Sequence, residues 1–430
     1  MLLIDFKDSF LHQPAYDKRL MSRQYLVVDN GAYNIKAGFN SDNSPSPLKA
    51  FNAITRSKDG AIHIGNQFKT HSKDYLGIQI RRPFEQGNLT SWEMEKPIWD
   101  YTLDQISKTE IDPSNVHLTL TETPFQLPQL SSNTDQIVFE EYEFGEYYRC
   151  IPASLVPFGI DESIINSDFT LVIDSGFNAT WIVPVIYKKV HWEGVRKLPI
   201  GGNVLNGLLR EVISFRHYDM SDNPILINTI KESTCFLAKD FNEVLKNKSQ
   251  YKCEFVLPDF KTTTTGFVKT AESKIAPDTQ LLTLYDERFT IPEAFYHPEI
   301  MFDLNEGTAS SAVLQSAPIK NLTDLIVLSI MSCPEITRPL LSANICLSGG
   351  TSNLPNFKTR LETELTKELP QKWHVRIHDD YQGIPKDELS WYGGINLTGD
   401  DVFEKVSISK KEYFEHGSNW CQKQFGFKNV

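Results

Sequence analysis

The sequence predicts an α/β fold made of two copies of one unit around a cleft, and three observations carry that expectation. A strand-and-turn segment occurs twice, as Leu26-Val27-Val28-Asp29-Asn30-Gly31 and as Leu171-Val172-Ile173-Asp174-Ser175-Gly176. A third apolar strand, from Ile345, runs into Ser348-Gly349-Gly350-Thr351 and then into a helical stretch from Phe357 to Leu369. Strand-like and helix-like segments alternate along the rest of the chain, the pattern of an α/β protein.

Each element has a local reason. In both repeats an apolar strand ends in Asp, a small polar residue and Gly, and a second strand returns, from Ile35 to Phe39 and from Trp181 to Ile186. Such a hairpin sets the backbone N–H groups of a tight turn beside a carboxylate. Turn amides bind phosphate oxygens, and a carboxylate can hold the water shell of Mg²⁺. One Asn-Gly turn is an ordinary hairpin signal; two copies and a glycine turn after a third strand point to a nucleoside triphosphate clamped between halves. At Gly349-Gly350 the glycines allow close approach of a base or ribose, and the following helix start adds an anion cradle.

Between these motifs, Trp92 to Leu103 reads as a helix with Trp92, Ile98 and Trp99 on or near one face. Val116 to Thr121 reads as a central strand closed by Thr123-Pro124. Gly201-Gly202 precedes an amphipathic helix for which Asn203 is the expected N-cap. Its core face is Val204, Leu205, Leu208, Leu209, Val212 and Ile213. Residues 261–279 are polar and aperiodic and read as an exposed loop or insertion.

Bulk properties narrow the function classes. The 430 residues leave room for more than one core, and 40% apolar with 23% charged residues is ordinary for a globular protein. No apolar run approaches the roughly 18 residues that span a bilayer. Asp5, Lys7 and Asp8 break the opening apolar stretch, so a signal peptide is not expected and an intracellular location is. Met21-Ser22-Arg23-Gln24 reads like a start, so residues 1–20 are expected to be an extension outside the fold. The six cysteines, Cys150, Cys235, Cys253, Cys333, Cys346 and Cys421, contain no CxxC pair and are expected to be free, mostly buried thiols. A net charge of −12 argues against direct steering onto nucleic acid; it would suit a basic partner such as a histone, and a solvated acidic surface explains it equally well.

The three elements, in this order, resemble the actin superfamily: the hairpins match its two phosphate loops and Leu347–Thr351 its adenosine motif. Val27–Gly31, Lys36–Phe39, Arg81–Thr102, Gln136–Tyr142, Lys231–Ser233, Asp286–Phe295, Leu347–Pro355, Trp391–Gly394 and Ile408–Gly417 look like actin segments in actin order. The resemblance implies two ribonuclease H-like halves, a central nucleotide cleft and four subdomains. Subdomain 1 would be 21–50, 82–164 and 386–430; subdomain 2, short, 51–81; subdomain 3, 165–200 and 304–385; subdomain 4, 201–303 with the 261–279 insertion. Glu140–Phe144, Ile173–Val185, Leu209–Met220, Phe255–Phe260 and His416–Phe427 are similar to a nuclear branch of actin-related proteins. That branch implies a subunit of a Swr-type chromatin remodelling complex, which exchanges variant histone into nucleosomes. The implied partners are its remodelling ATPase, a zinc-HIT-type subunit and, indirectly, histones or nucleosomal DNA; the implied location is the nucleus, with no membrane association.

Residue by residue, the resemblance implies an ATP site. Asp29, Asn30, Gly31, Asp174, Ser175 and Gly176 would form the phosphate turns, with Asp29 and Asp174 holding Mg²⁺ through water. Lys36 would reach the phosphates, Lys231 and Glu232 would flank the adenosine, and Gly349, Gly350 and Thr351 would form its turn. Lys231 and Glu232 also fit a plain helix-surface salt-bridged pair. The hydrolytic positions depart from actin: Pro152 stands where actin has its water-positioning Gln, and Trp181 where it has His. Proline has no side-chain hydrogen-bonding group and indole only a donor, and lost water positioning typically costs about two to four orders of magnitude in rate. Hydrolysis is therefore expected to be absent or very slow, and no catalytic residue is assigned. Tyr33 replaces a loop glycine, Phe177-Asn178 replace Asp-Gly, and Leu354 replaces the tyrosine flanking the base; the first two are expected to crowd the terminal phosphate. The segment from Phe51 to Arg82 is shorter than in actin and lacks its filament-inserting apolar loop, so polymerisation is not expected.

The favoured reading is a scaffold subunit. The alternative is a weak ATPase or phosphotransferase of the actin, sugar-kinase and chaperone superfamily, for which the sequence places no general base at the cleft. Candidate partner surfaces are the Arg149 region, the 261–279 segment and the aromatic tail from Trp420 to Phe427, the alternatives being a tolerated surface loop for 261–279 and a tail folded back on its own domain.

Overall fold

The computed structural model describes residues 24–426, apart from 41–45, 72–74, 76, 108–111, 260–263, 277, 304–319 and 400–401. The expected extension over 1–20, and Phe427 of the tail, lie outside the described residues.

Two sheets repeat one plan. The first runs Ile408–Ser409, Glu146–Cys150, Val116–Thr121, Gln24–Asn30, Asn34–Phe39, Leu48–Phe51; the second runs Lys189–Val190, Thr180–Ile186, Phe169–Ser175, Ile345–Ser348, Ile377–His378. Each hairpin is antiparallel, and its first strand also pairs in parallel with a later strand, Val28 opposite Leu120 and Ile173 opposite Leu347. The register makes Lys36 and Trp181 counterparts, since Lys36 faces Asp29 and Trp181 faces Asp174. The central strands are covered on both faces, which is why they read as continuous apolar runs: Leu26, Val27, Leu171, Val172 and Ile173 are all fully buried. The fold is α/β and duplicated.

Helix Trp92–Ile106 starts where the Ser91 hydroxyl accepts the Met94 N–H, and it buries Ile98 and Trp99 against the first sheet. Helices Pro152–Gly159 and Leu389–Gly399 cross beside the two passages of the chain between sheets. At that crossing a Cβ on Gly159 would come 2.6 Å from the Leu389 carbonyl oxygen, so glycine sets how closely they approach. Helix Gly202–Arg216 buries Leu205, Leu208, Leu209 and Ile213, as its periodicity predicts. It begins two residues earlier than expected, with Gly201 rather than Asn203 as cap. The physical reason is tertiary: the Gly202 and Asn203 N–H groups donate to the Gly176 and Phe177 carbonyls at 3.1 and 2.7 Å, docking the helix start onto the second hairpin turn.

The structure decides between readings at three segments. Phe267–Val268 is an edge strand on Cys253–Val256, in a small sheet with Leu281–Leu284, so that part of 261–279 is not a free loop. Two residues are too few for alternation to show in a sequence. Arg149 is buried, its Nε 3.0 Å from Asp135 Oδ1, and presents no surface. The tail forms helix Ser418–Phe425, which folds back on the first half: Cys421 is fully buried, and the Phe425 ring meets Tyr147 at 5.3 Å. All six thiols are free, and every one but Cys150 is buried. Among the described residues no helix is long and apolar enough to cross a membrane.

Candidate nucleotide cleft

Both hairpin turns and the glycine turn open onto one cavity of about 500 Å³, a size that takes a small organic ligand. Its wall includes Asp29, Asn30, Gly31, Lys36, Asp174, Gly176, Lys231, Glu232, Gly349, Gly350 and Thr351. Ser175 is the exception among the residues nominated. It is fully buried, and its hydroxyl shares a 2.8 Å hydrogen bond with Thr180 inside the hairpin.

The turn amides divide into two sets. The Asn30 N–H donates to Thr121 Oγ1 at 2.9 Å, Gly31 to the Asp29 carbonyl at 3.0 Å, Gly176 to that of Ala179 at 3.0 Å, and Gly349 to that of Lys386 at 3.1 Å. These four are spent. The N–H groups of Ala32, Tyr33, Phe177 and Asn178, further round the same two turns and also on the wall, have no acceptor among the described residues. Four open amides on two turns that line one cavity are the kind of backbone donor set that can take an anion. The sequence reading names turn amides as phosphate donors but places them at Asn30, Gly31, Ser175 and Gly176; Tyr33, Phe177 and Asn178 stand out by side chain, whereas it is their backbone that offers the open donors. The turn geometry of a hairpin was the available signal.

The two carboxylates differ. Asp29 is already engaged, accepting from Thr121 Oγ1 (2.7 Å), Lys36 Nζ (3.0 Å) and Ser390 Oγ (3.2 Å). Asp174 accepts no hydrogen bond among the described residues. Burial, then the charge of Asp29, push its carboxyl up to about 6 against the pull of Lys36. For a cation, Asp174 therefore has the open oxygens. Among the described residues no group of three or more His, Cys, Asp or Glu side chains could hold a metal, so a Mg²⁺ here would keep most of its water. Burial pulls the Lys36 ammonium down, but Asp29 and Asp387 outweigh it and hold it above its ordinary value.

On the other wall, Gly349 has φ +83°, and a Cβ there would collide with the Ser175 carbonyl. Thr351 Oγ1 donates to the Gly176 carbonyl at 2.8 Å, tying this turn to the second hairpin. Lys231 is buried and donates to the Gly202 carbonyl and to Asn228 Oδ1, at 3.2 and 2.9 Å; burial brings its ammonium down to about 8. Asn228 Nδ2 in turn donates to Glu232 at 2.9 Å, so Lys231 and Glu232 are joined through an amide and are not a surface salt-bridged pair.

Pro152 and Trp181 both lie on the wall. Proline opens helix Pro152–Gly159, and the indole carries the Lys197 ammonium 5.2 Å over its ring. Besides the carboxylates that the sequence nominates, Glu122 and Asp387 line the cleft as well. Each is engaged by a cation, Glu122 by Arg149 and Asp387 by Lys49 at 2.9 Å.

A duplicated hairpin sheet with its cleft between halves is the architecture to which the sequence was similar, and a family model described as "Actin" matches residues 21–426. The chain belongs to the actin family. A protein named Actin-like protein ARP6 from Candida albicans is 62% identical, over 95% of this chain and 99% of its own length. Proteins of the same name are 60% identical in Debaryomyces hansenii and 37% identical in Saccharomyces cerevisiae, each over 94% or more of this chain. This actin-related chain thus keeps the cleft of its family, with open backbone donors, while proline and indole occupy two wall positions where the resemblance implies Gln and His.

Proposed function

We propose that this actin-related chain is a non-polymerising nuclear scaffold that holds ATP or its diphosphate without hydrolysing it, as a subunit of a Swr-type chromatin remodelling complex. The observation that carries the nucleotide half is the pairing of four open turn amides with Pro152 and Trp181 in one wall. Ala32, Tyr33, Phe177 and Asn178 would hold phosphate oxygens, Lys36 would balance their charge, and Asp174 would meet a hydrated Mg²⁺. A bound nucleotide would supply charge and contacts that reach both halves. Neither Pro152 nor Trp181 can accept a proton from water, which supports retention without turnover.

The complex-level half rests on family membership and on the similarity to proteins named ARP6. Affinity purification of the tagged chain from nuclear extract tests it. Co-purification in fixed ratio with a remodelling ATPase and a zinc-HIT-type subunit is the expected result; recovery alone, or as salt-induced polymer that sediments, refutes it.

One observation favours the alternative of a weak ATPase. Asp174 is a wall carboxylate with no hydrogen bond among the described residues, poised near neutrality. If it served as a general base, Asp174→Asn would abolish phosphate release that the wild type shows; the scaffold reading expects no release from either.

A further inference from the structure

The two hairpin turns meet through their side chains. The Tyr33 ring from the first turn and the Phe177 ring from the second lie 5.0 Å apart between centroids. The Arg82 guanidinium sits 4.8 Å from the Tyr33 ring, 4.7 Å from Phe177 and 4.5 Å from Phe51, so one cation faces three rings from both halves. Its Nη1 also donates to the carbonyls of Ala32, Tyr33 and Asn52, at 2.9, 3.3 and 3.1 Å. Burial pulls this guanidinium down to about 10. Ring faces attract such a desolvated cation more strongly than they would in water.

The hydrogen bonds bear on the cradle. In a trans peptide the carbonyl and the next N–H point in opposite directions. Arg82 holds the Ala32 carbonyl, and so fixes the direction of the open Tyr33 N–H. The Tyr33 hydroxyl then accepts from Asn228 Nδ2 at 3.2 Å, in the helix that also carries Lys231 and Glu232. First turn, second turn and this second-half helix are thereby linked by protein groups alone.

We propose that Tyr33, Arg82 and Phe177 form a clasp that closes the cleft in place of a terminal phosphate, so that the site treats nucleoside diphosphate and triphosphate alike. Its diphosphate and triphosphate arm rests on the nucleotide reading above; its closure arm does not. A terminal phosphate favours closure by reaching both turns. Where a ring pair and a cation already join them, the third phosphate has no further movement to drive.

Hydrogen exchange on the full-length, nucleotide-free chain tests closure. In the wild type, the hydrogen-bonded amides at the two turns, those of Asn30 and Gly31 in the first and of Gly176, Gly202 and Asn203 at the second, should exchange slowly. Tyr33→Gly should speed exchange at least tenfold in both turns, although only the first is altered; Phe177→Leu, which keeps an apolar side chain, should do the same to a lesser extent. Acceleration confined to residues 30–35 in Tyr33→Gly would overturn the clasp. Calorimetric titration with ADP and with the β,γ-imido analogue of ATP gives the second readout. Dissociation constants within threefold of each other are expected for the wild type, with a preference for triphosphate emerging in Tyr33→Gly. A wild-type preference of tenfold or more for triphosphate would overturn the proposal. If neither nucleotide binds, the nucleotide reading falls and the exchange result alone decides whether the clasp stands.

Discussion

Replacing Phe425 by Ala separates a tail that completes the core from a tail that anchors a partner. The ring stands edge-on to Tyr147 (5.3 Å, 82°) and to Tyr148 (5.9 Å, 73°), and the Arg149 guanidinium lies 5.6 Å away. A fully buried Phe→Ala change costs about 3–5 kcal/mol. Phe425 is half-buried, so about half that value, roughly 2 kcal/mol, is expected, including the two edge-on ring pairs at ~0.5–1 kcal/mol each. A side-chain deletion leaves the backbone entropy of the helix in place, which truncation would not. With more than one core in the chain, global unfolding need not be two-state, so the local readout is hydrogen exchange in strand Glu146–Cys150, which lies under the helix. A loss of about 2 kcal/mol corresponds to roughly 30-fold faster exchange there. Unchanged exchange and melting, together with lost capture of partners, would refute the packing argument and return the tail to the role of an interface anchor.

Three further outcomes follow from particular groups. Burial pushes the Glu95 carboxyl up to about 7, although Asn52 and Trp99 donate to it. Because the folded value exceeds the unfolded one, its contribution is most favourable at low pH and is lost as pH rises toward 7. Glu95→Gln should therefore exceed the wild type in stability at pH 8 by up to about 3 kcal/mol, a gap that closes toward pH 5; a gap independent of pH in urea titrations would contradict this. Gly349→Ala places a Cβ where φ is +83° and the Ser175 carbonyl is in the way. It should cost more than about 2 kcal/mol, and wild-type melting would show that the turn is laxer than described. Pro152→Gln with Trp181→His restores two side chains able to orient water and should raise phosphate release at least tenfold; if release stays at background, some other feature of the cleft prevents hydrolysis.

The fold was legible where a long-range pattern repeats. Two buried strands ending in Asp and Gly predict two parallel-and-antiparallel sheets, and the structure pairs them in equivalent register. What did not show in the sequence depends on tertiary contact. Asn203 has the residue type of an N-cap, but docking onto Gly176 and Phe177 sets the helix start two residues earlier. Phe267-Val268 has too few residues to reveal a strand. Ser175 belongs to a phosphate-turn motif by position, yet its hydroxyl is used within the hairpin. Tyr33 and Phe177 were legible as departures from glycine and Asp but not as partners, because contact between residues so distant in sequence has no local signature.

The most direct test of the account is the nucleotide content of the purified full-length chain, quenched in acid and resolved by chromatography, alongside a phosphate-release assay on the same sample. About one nucleotide per chain with no measurable release is the expected result. Steady phosphate release, or a chain that carries no nucleotide and takes up none, would contradict it.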